Sequence, residues 1–96
     1  MQKKDILDYL KSYKKQLLKK YNIKRIILFG SFAKDTQNEK SDIDIAVEIE
    51  NPSFLLLFEI KEELEKKFKR KVDIVRLREK MNRYLKNRIQ KEGIIV

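Results

Sequence analysis

From residue 42 to residue 49 the chain alternates with a period of two. Ile43, Ile45, Val47 and Ile49 fall on one side, and Asp42, Asp44, Ala46 and Glu48 on the other. A helix would scatter those aliphatic side chains around its circumference, whereas a strand lines them along one face. The segment is therefore a strand with an oily face to bury and an acidic face to keep wet. A strand cannot satisfy its own backbone or cover its own apolar side, so this pattern requires neighbouring strands and a layer of helices.

The rest of the chain supplies both. Ile6, Leu10, Tyr13, Leu17 and Tyr21 recur at spacings of three and four, which predicts an amphipathic helix over residues 5–21, stopped at Asn22. Arg25-Ile26-Ile27-Leu28-Phe29 is apolar on both sides and reads as a central strand ending at Gly30. Ser31 is placed to cap a short helix through Phe32 and Ala33, and residues 34–41 are a polar loop. Asn51-Pro52-Ser53 punctuates, with Ser53 or Asn51 as the cap of a second helix over 54–69 whose inward stripe is Leu57, Ile60, Leu64 and Phe68. A third strand spans 71–77, and a basic helix over 79–91 turns Met81, Leu85 and Ile89 inward. Gly93 ends it before a short terminal strand, Ile94-Ile95-Val96. Strands interleaved with helices predict an α+β fold, a small mixed β-sheet flanked by helices, with residues 1–96 forming one unit.

Composition removes several chemistries. The chain has no cysteine and no histidine, which excludes disulfides, thiolate zinc sites, Cys nucleophiles and His-based triads. Any metal must sit on oxygen, which points to Mg²⁺ or Mn²⁺. The longest apolar run, residues 54–58, falls far short of the roughly 20 residues needed to cross a bilayer. The N-terminus is amphipathic rather than signal-like, so the expected location is cytoplasmic.

Chemistry concentrates around Gly30-Ser31 and, after ten intervening residues, Asp42-Ile43-Asp44. On a strand, Asp42 and Asp44 point the same way with α-carbons about 7 Å apart. Paired carboxylates repel unless a proton or a divalent cation lies between them. Asp73 interrupts an apolar strand, between Val72 and Ile74. If that strand neighbours 42–49, the three acids suit two metal ions about 3.5–4 Å apart, an arrangement that supports in-line displacement at phosphorus. The competing role for Asp73 is an exposed ion pair with Lys71 or Arg76. Gly30-Ser31 lies at a strand-to-helix junction, where free amides, the helix dipole and a missing side chain favour a phosphate.

Leu28-Phe29-Gly30-Ser31-Phe32-Ala33-Lys34 followed by Ser41-Asp42-Ile43-Asp44-Ile45-Ala46-Val47 resembles the minimal nucleotidyltransferase (MNT) group of the DNA polymerase β-like superfamily. The resemblance covers nearly the whole chain and implies the palm fold of that superfamily. It implies that Gly30 and Ser31 hold the triphosphate of ATP, with Lys34 as a further phosphate contact. It implies that Asp42 and Asp44 bind two Mg²⁺ ions, with Asp73 as the third acid that completes the metal site and assists deprotonation of the attacking hydroxyl. One departure is Lys34-Asp35, where the family commonly has arginine-glycine. Losing the glycine removes an easy left-handed turn and adds a negative charge near the phosphates.

MNT proteins commonly act as antitoxins beside a small helical HEPN ribonuclease, transferring AMP from ATP to a tyrosine of the toxin. The resemblance therefore implies a metal-dependent protein adenylyltransferase in a hetero-oligomer with a HEPN-type toxin. The apolar excess at Phe54, Leu55, Leu56 and Phe58 either caps the sheet or meets that partner. An antitoxin that neutralises by binding alone is the competing reading, kept alive by Lys34-Asp35. The net charge of +9, with basic runs at 66–71 and along 80–91, raises a third, a nucleic-acid module. Aromatics are not interleaved with those lysines for base stacking, which argues against it.

Overall fold

The computed structural model describes residues 1–51 and 53–96. Pro52, part of the expected punctuation at 51–53, lies outside the described residues. The element order is α1 (Lys3–Lys20), β1 (Ile23–Phe29), α2 (Ser31–Lys34), β2 (Ile43–Ile49), α3 (Phe54–Phe68), β3 (Val72–Arg76), α4 (Arg83–Glu92) and β4 (Ile94–Ile95). The strands form one mixed sheet in the order β3-β2-β1-β4. β1 runs antiparallel to both β2 and β4, while β2 and β3 are parallel.

The doubly apolar β1 lies inside the sheet, as its composition requires. Ile23, Ile26 and Leu28 face one core with Ile43, Ile45, Val47 and Ile49, covered by α1 and α3. Ile27 and Phe29 face a smaller second core with Ala46, Leu77 and Ile89, under α4. The acidic side of β2 thus shares its face with α4 and is only partly covered.

Local chemistry sets the helix ends. A capping box starts α1, in which the Gln2 amide donates to Asp5 Oδ2 at 3.0 Å. Ser53 caps α3 by accepting from the Leu56 amide at 3.1 Å. Three expectations shift. Tyr21 is the half-buried C-cap of α1 rather than part of its stripe. The buried residue of α3's first turn is Leu56, while Leu57 is only half-buried. Leu56 joins the larger core, which residues of the sheet and of α1 share, and it also lines a groove with Tyr13, Leu17 and Ile60. The last helix begins at Arg83 rather than residue 79. Asn82 accepts from the Leu85 amide at 3.0 Å and fixes that start, leaving Met81 ahead of the helix but packed against the second core.

Candidate active site

The strand register brings the acids together. Asp44 lies within β2 directly across from Phe29 on β1 and directly beside Asp73 on β3. Adjacent strands are about 4.8 Å apart, so the two carboxylates leave neighbouring backbones toward the same face. Asp42 precedes β2 on that side, two residues upstream. Its position is anchored by the Ile43 amide, which donates to the Lys71 carbonyl at 2.9 Å. Asp42 and Asp44 are half-buried and Asp73 is exposed. Among the described residues Asp73 forms no ion pair with Lys71 or Arg76.

The acids repel one another. Burial raises the Asp44 pKa from its ordinary value, the nearby Asp73 charge raises it further, and Asp42 and Glu92 add to this, while Arg88 pulls it back. Among the described residues no three acidic side chains stand close enough to enclose a cation as they are. The donors are nevertheless of the kind a hard divalent ion takes: carboxylate oxygens only, on neighbouring strand positions, with the charges of Asp73 and Asp42 raising the cost of ionising Asp44.

Gly30 couples the two halves of the site. Its backbone (φ 76°, ψ −155°) occupies a region essentially reserved for glycine. A Cβ built there would run into the Asp44 carboxylate. The missing side chain is thus the space that Asp44 fills. Ser31 is the first residue of α2 rather than its cap; Gly30 holds that place. Because α2 is a single turn, its dipole is small, and any phosphate affinity comes from the amides of the turn and the Ser31 hydroxyl.

Lys34 ends α2 and is exposed, its Nζ donating to Glu92 Oε1 on α4 at 3.3 Å. Asp35 adopts the left-handed conformation (φ 58°, ψ 34°), and its carboxylate accepts from Lys3 Nζ at 2.8 Å. The turn expected to need glycine therefore forms without one, and Lys3 offsets the added charge.

Two basic residues that stood in the sequence only as members of charged runs belong to this site. Arg70 Nη1 reaches three loop carbonyls, those of Asn38 (3.4 Å), Glu39 (3.0 Å) and Ser41 (2.9 Å), and its guanidinium lies 5.2 Å from the Phe32 ring centre. It gathers the loop leading into Asp42. Arg88, on α4, lies 5.8 Å from the Phe29 ring centre beside Asp44. Its spacing of four from Glu92 was the available signal that both occupy one side of that helix; for Arg70 there was none.

Residues 11–96 match the polymerase beta nucleotidyltransferase family. A Methanocaldococcus jannaschii protein provisionally named a protein adenylyltransferase is 43% identical over 93 residues, covering 96% of this chain and 95% of that protein. Among solved structures, a toxin–antitoxin crystal structure with AMP-PNP superposes with a TM-score of 0.71 at 30% identity, covering 83% of this chain and 66% of that one. The tri-AMPylated Shewanella oneidensis HEPN toxin in complex with MNT antitoxin gives a TM-score of 0.59 at 27% identity, covering 76% of this chain. This chain spans 55% of the length of that matched chain.

Proposed function

The chain belongs to the polymerase beta nucleotidyltransferase family, and on that footing we propose that it moves AMP from ATP to a hydroxyl, a tyrosine's, of a HEPN-type toxin, acting in the cytoplasm as its antitoxin and in complex with it. One observation carries the reading: Asp44 stands between Asp73 on the next strand and the side-chain-free Gly30. Carboxylates and a phosphate-accepting turn thus meet at one point, as nucleotidyl transfer requires. The protein adenylyltransferase name of its relative and the AMPylated toxin of its structural neighbour support the choice of AMP and acceptor.

Asp42, Asp44 and Asp73 would hold two Mg²⁺ ions, or Mn²⁺ in their place. Bound there, the metal would neutralise charge on the phosphates and lower the pKa of the acceptor hydroxyl. Gly30 lets the triphosphate approach the backbone, with Ser31 donating its hydroxyl and Lys34 its ammonium to phosphate oxygens. Asp73, the exposed acid, is the carboxylate an acceptor reaches from solvent, and it takes the hydroxyl proton. The acceptor oxygen bonds to the α-phosphorus, the bond to the bridging oxygen breaks, and pyrophosphate leaves with that electron pair.

Phe54 (93% exposed), Leu55 and Phe58 crowd the start of α3 without covering the sheet, and they offer an apolar surface to the toxin. The departure that favoured an antitoxin acting by binding alone is accommodated by the left-handed Asp35 and its Lys3 partner. The basic run at 66–71 is no uniform face for nucleic acid: Lys67 lies over the Tyr9 ring at 5.1 Å, and Arg70 is engaged by the loop.

The test is intact-mass analysis of the cognate HEPN toxin after incubation with this chain, ATP and Mg²⁺. The parent adds AMP groups, and Asp42→Asn or Asp44→Asn adds none. Asp44→Asn is also its own folding control. A carboxyl whose pKa is raised on folding contributes stability fully below its unfolded value, about pH 4, and loses it as pH rises through the folded value. In chelator at neutral pH the asparagine variant should therefore melt above the parent. Transfer at the parental rate by either variant would refute the assignment of these acids.

A further inference from the structure

A chain of charges spans the site from α2 to α4. Lys34 Nζ lies 3.3 Å from Glu92 Oε1, and Arg88 Nη2 lies 3.7 Å from Glu92 Oε2. The two cations come from different elements, 54 positions apart in sequence (88 − 34), and Glu92 bridges them. The bridge is loosely made. Glu92 Oε2 is shut off from water yet has no hydrogen-bond partner among the described residues, with the guanidinium just beyond bonding distance. A buried carboxylate oxygen left unbonded is costly, so the contact is poised to exchange for a better one. Arg88 is no free surface cation either: it is half-buried, seated over Phe29, and close enough for its charge to act on Asp44. The Phe29 ring limits where the guanidinium can point, and the strand pairing of Phe29 with Asp44 keeps it beside the acids.

An anion placed between Lys34 and Arg88, next to Asp44, occupies the position a phosphate would take. A tetrahedral phosphate offers more acceptor oxygens than a carboxylate, and an arginine's planar fork can meet two of them at once. We infer that Arg88 is a nucleotide-binding residue, contacting the non-transferred phosphates of a nucleoside triphosphate with Lys34, and that Glu92 is a stand-in anion which the triphosphate displaces. This assignment rests on the nucleotidyltransferase reading. It adds to it a polyphosphate contact from α4, across the site from Gly30 and Ser31.

The test is calorimetric titration of the full chain with a non-hydrolysable ATP analogue and, separately, with AMP, both with Mg²⁺. Arg88→Gln should weaken the analogue about tenfold or more, as expected for losing a charge-assisted bond to phosphate, and leave AMP within about twofold. Arg88→Lys keeps the charge without the fork and should fall between. Glu92→Gln should act in the opposite direction and tighten the analogue, because it removes a competing negative charge. A strut that merely joins α2 to α4 would give both variants the same sign and affect AMP and the analogue alike. If Arg88→Gln binds the analogue as the parent does, or loses both ligands equally, the assignment is overturned. If Glu92→Gln binds more weakly, the displacement half is overturned. Should Arg88→Gln fail to melt cooperatively, Arg88→Lys decides: parental affinity for the analogue refutes the fork contact. An unsubstituted chain that binds no analogue while remaining folded overturns the transferase reading itself, and this assignment with it.

Discussion

Substituting Gly30 with alanine tests whether the turn proposed to accept phosphate and the neighbouring acids are one object. Two costs can be worked from the structure. The first is backbone strain: at φ 76° and ψ −155° a residue with a Cβ is disfavoured by about 1–3 kcal/mol. The second is collision, since the new methyl group would meet Asp44 Oδ2, with Asp44 Cγ only 3.0 Å away. Asp44 cannot retreat with its backbone, because β2 is held on one side by Phe29 and on the other by Asp73. Its side chain must rotate instead. Together these should cost about 2 kcal/mol or more, which for a domain of this size lowers Tm by roughly 10 °C or more. Ser31→Ala, one position later in ordinary helical geometry, should cost under about 0.5 kcal/mol. Thermal melts of both variants, followed by AMP transfer measured well below the lower Tm, separate the two effects. A Gly30→Ala variant within about 0.5 kcal/mol of the parent would refute the strain argument. One that is destabilised but transfers at the parental rate would show that Asp44's position does not depend on the missing side chain.

Arg70→Ala should cost about 1–2 kcal/mol through lost bonds to the loop carbonyls and the lost stacking on Phe32, and should speed amide exchange across residues 36–41 without doing so in β1. Exchange rising equally in loop and strand would mean that Arg70 supports the whole fold rather than the approach to Asp42. Tyr13→Phe removes the 2.7 Å bond to Glu63 and should cost about 1 kcal/mol at pH 7. Burial, then that bond and the Glu63 charge, hold the Tyr13 pKa well above its ordinary value near 10. Its contribution is therefore full below about pH 10 and falls as pH rises, because the unfolded phenol ionises first. The parent should lose stability above pH 10 more steeply than Tyr13→Phe, and parallel alkaline melting curves would contradict that.

What the sequence discloses follows its periodicities. The Ile43–Ile49 alternation specifies β2 and both of its faces, and the doubly apolar 25–29 run marks an interior strand, because each pattern reports burial in nearby sequence. Asp73 stands out as a lone acid in an apolar strand, so its place beside Asp44 follows once β2 and β3 pair. Leu56 against Leu57 is harder. Adjacent leucines differ by 100° around a helix, and only the way α3 settles on the larger core decides which of them is buried. Arg70 lies beyond local reading altogether, and the spacing of four between Arg88 and Glu92 says only that they share a side of α4. The Ser41 carbonyl that Arg70 reaches is 29 positions away and the Lys34 that Glu92 meets is 58 away, and a lysine- and arginine-rich chain offers many residues that look the same until the fold selects them.

The nearness of Gly30 to Asp44 is fixed by strand register rather than by the ten residues that separate Ser31 from Asp42. Leu28 pairs with Ile45 and Ile26 with Val47, all four buried in the larger core, while Ile27 pairs with Ala46 in the smaller one. Slipping β2 by one residue would turn its aliphatic side chains outward and push Asp44 and Glu48 into the larger core, a cost of several kcal/mol for each buried charge. With the register held, Phe29 must face Asp44, and the next residue, Gly30, must turn beside that carboxylate. The loop has only to close the distance, which it does with a left-handed Asp35 and the clamp of Arg70. The aliphatic residues that build the core thereby also aim the acids, and the polar loop between the two motifs can vary in composition, as at Asp35, without moving the acids that would do the chemistry.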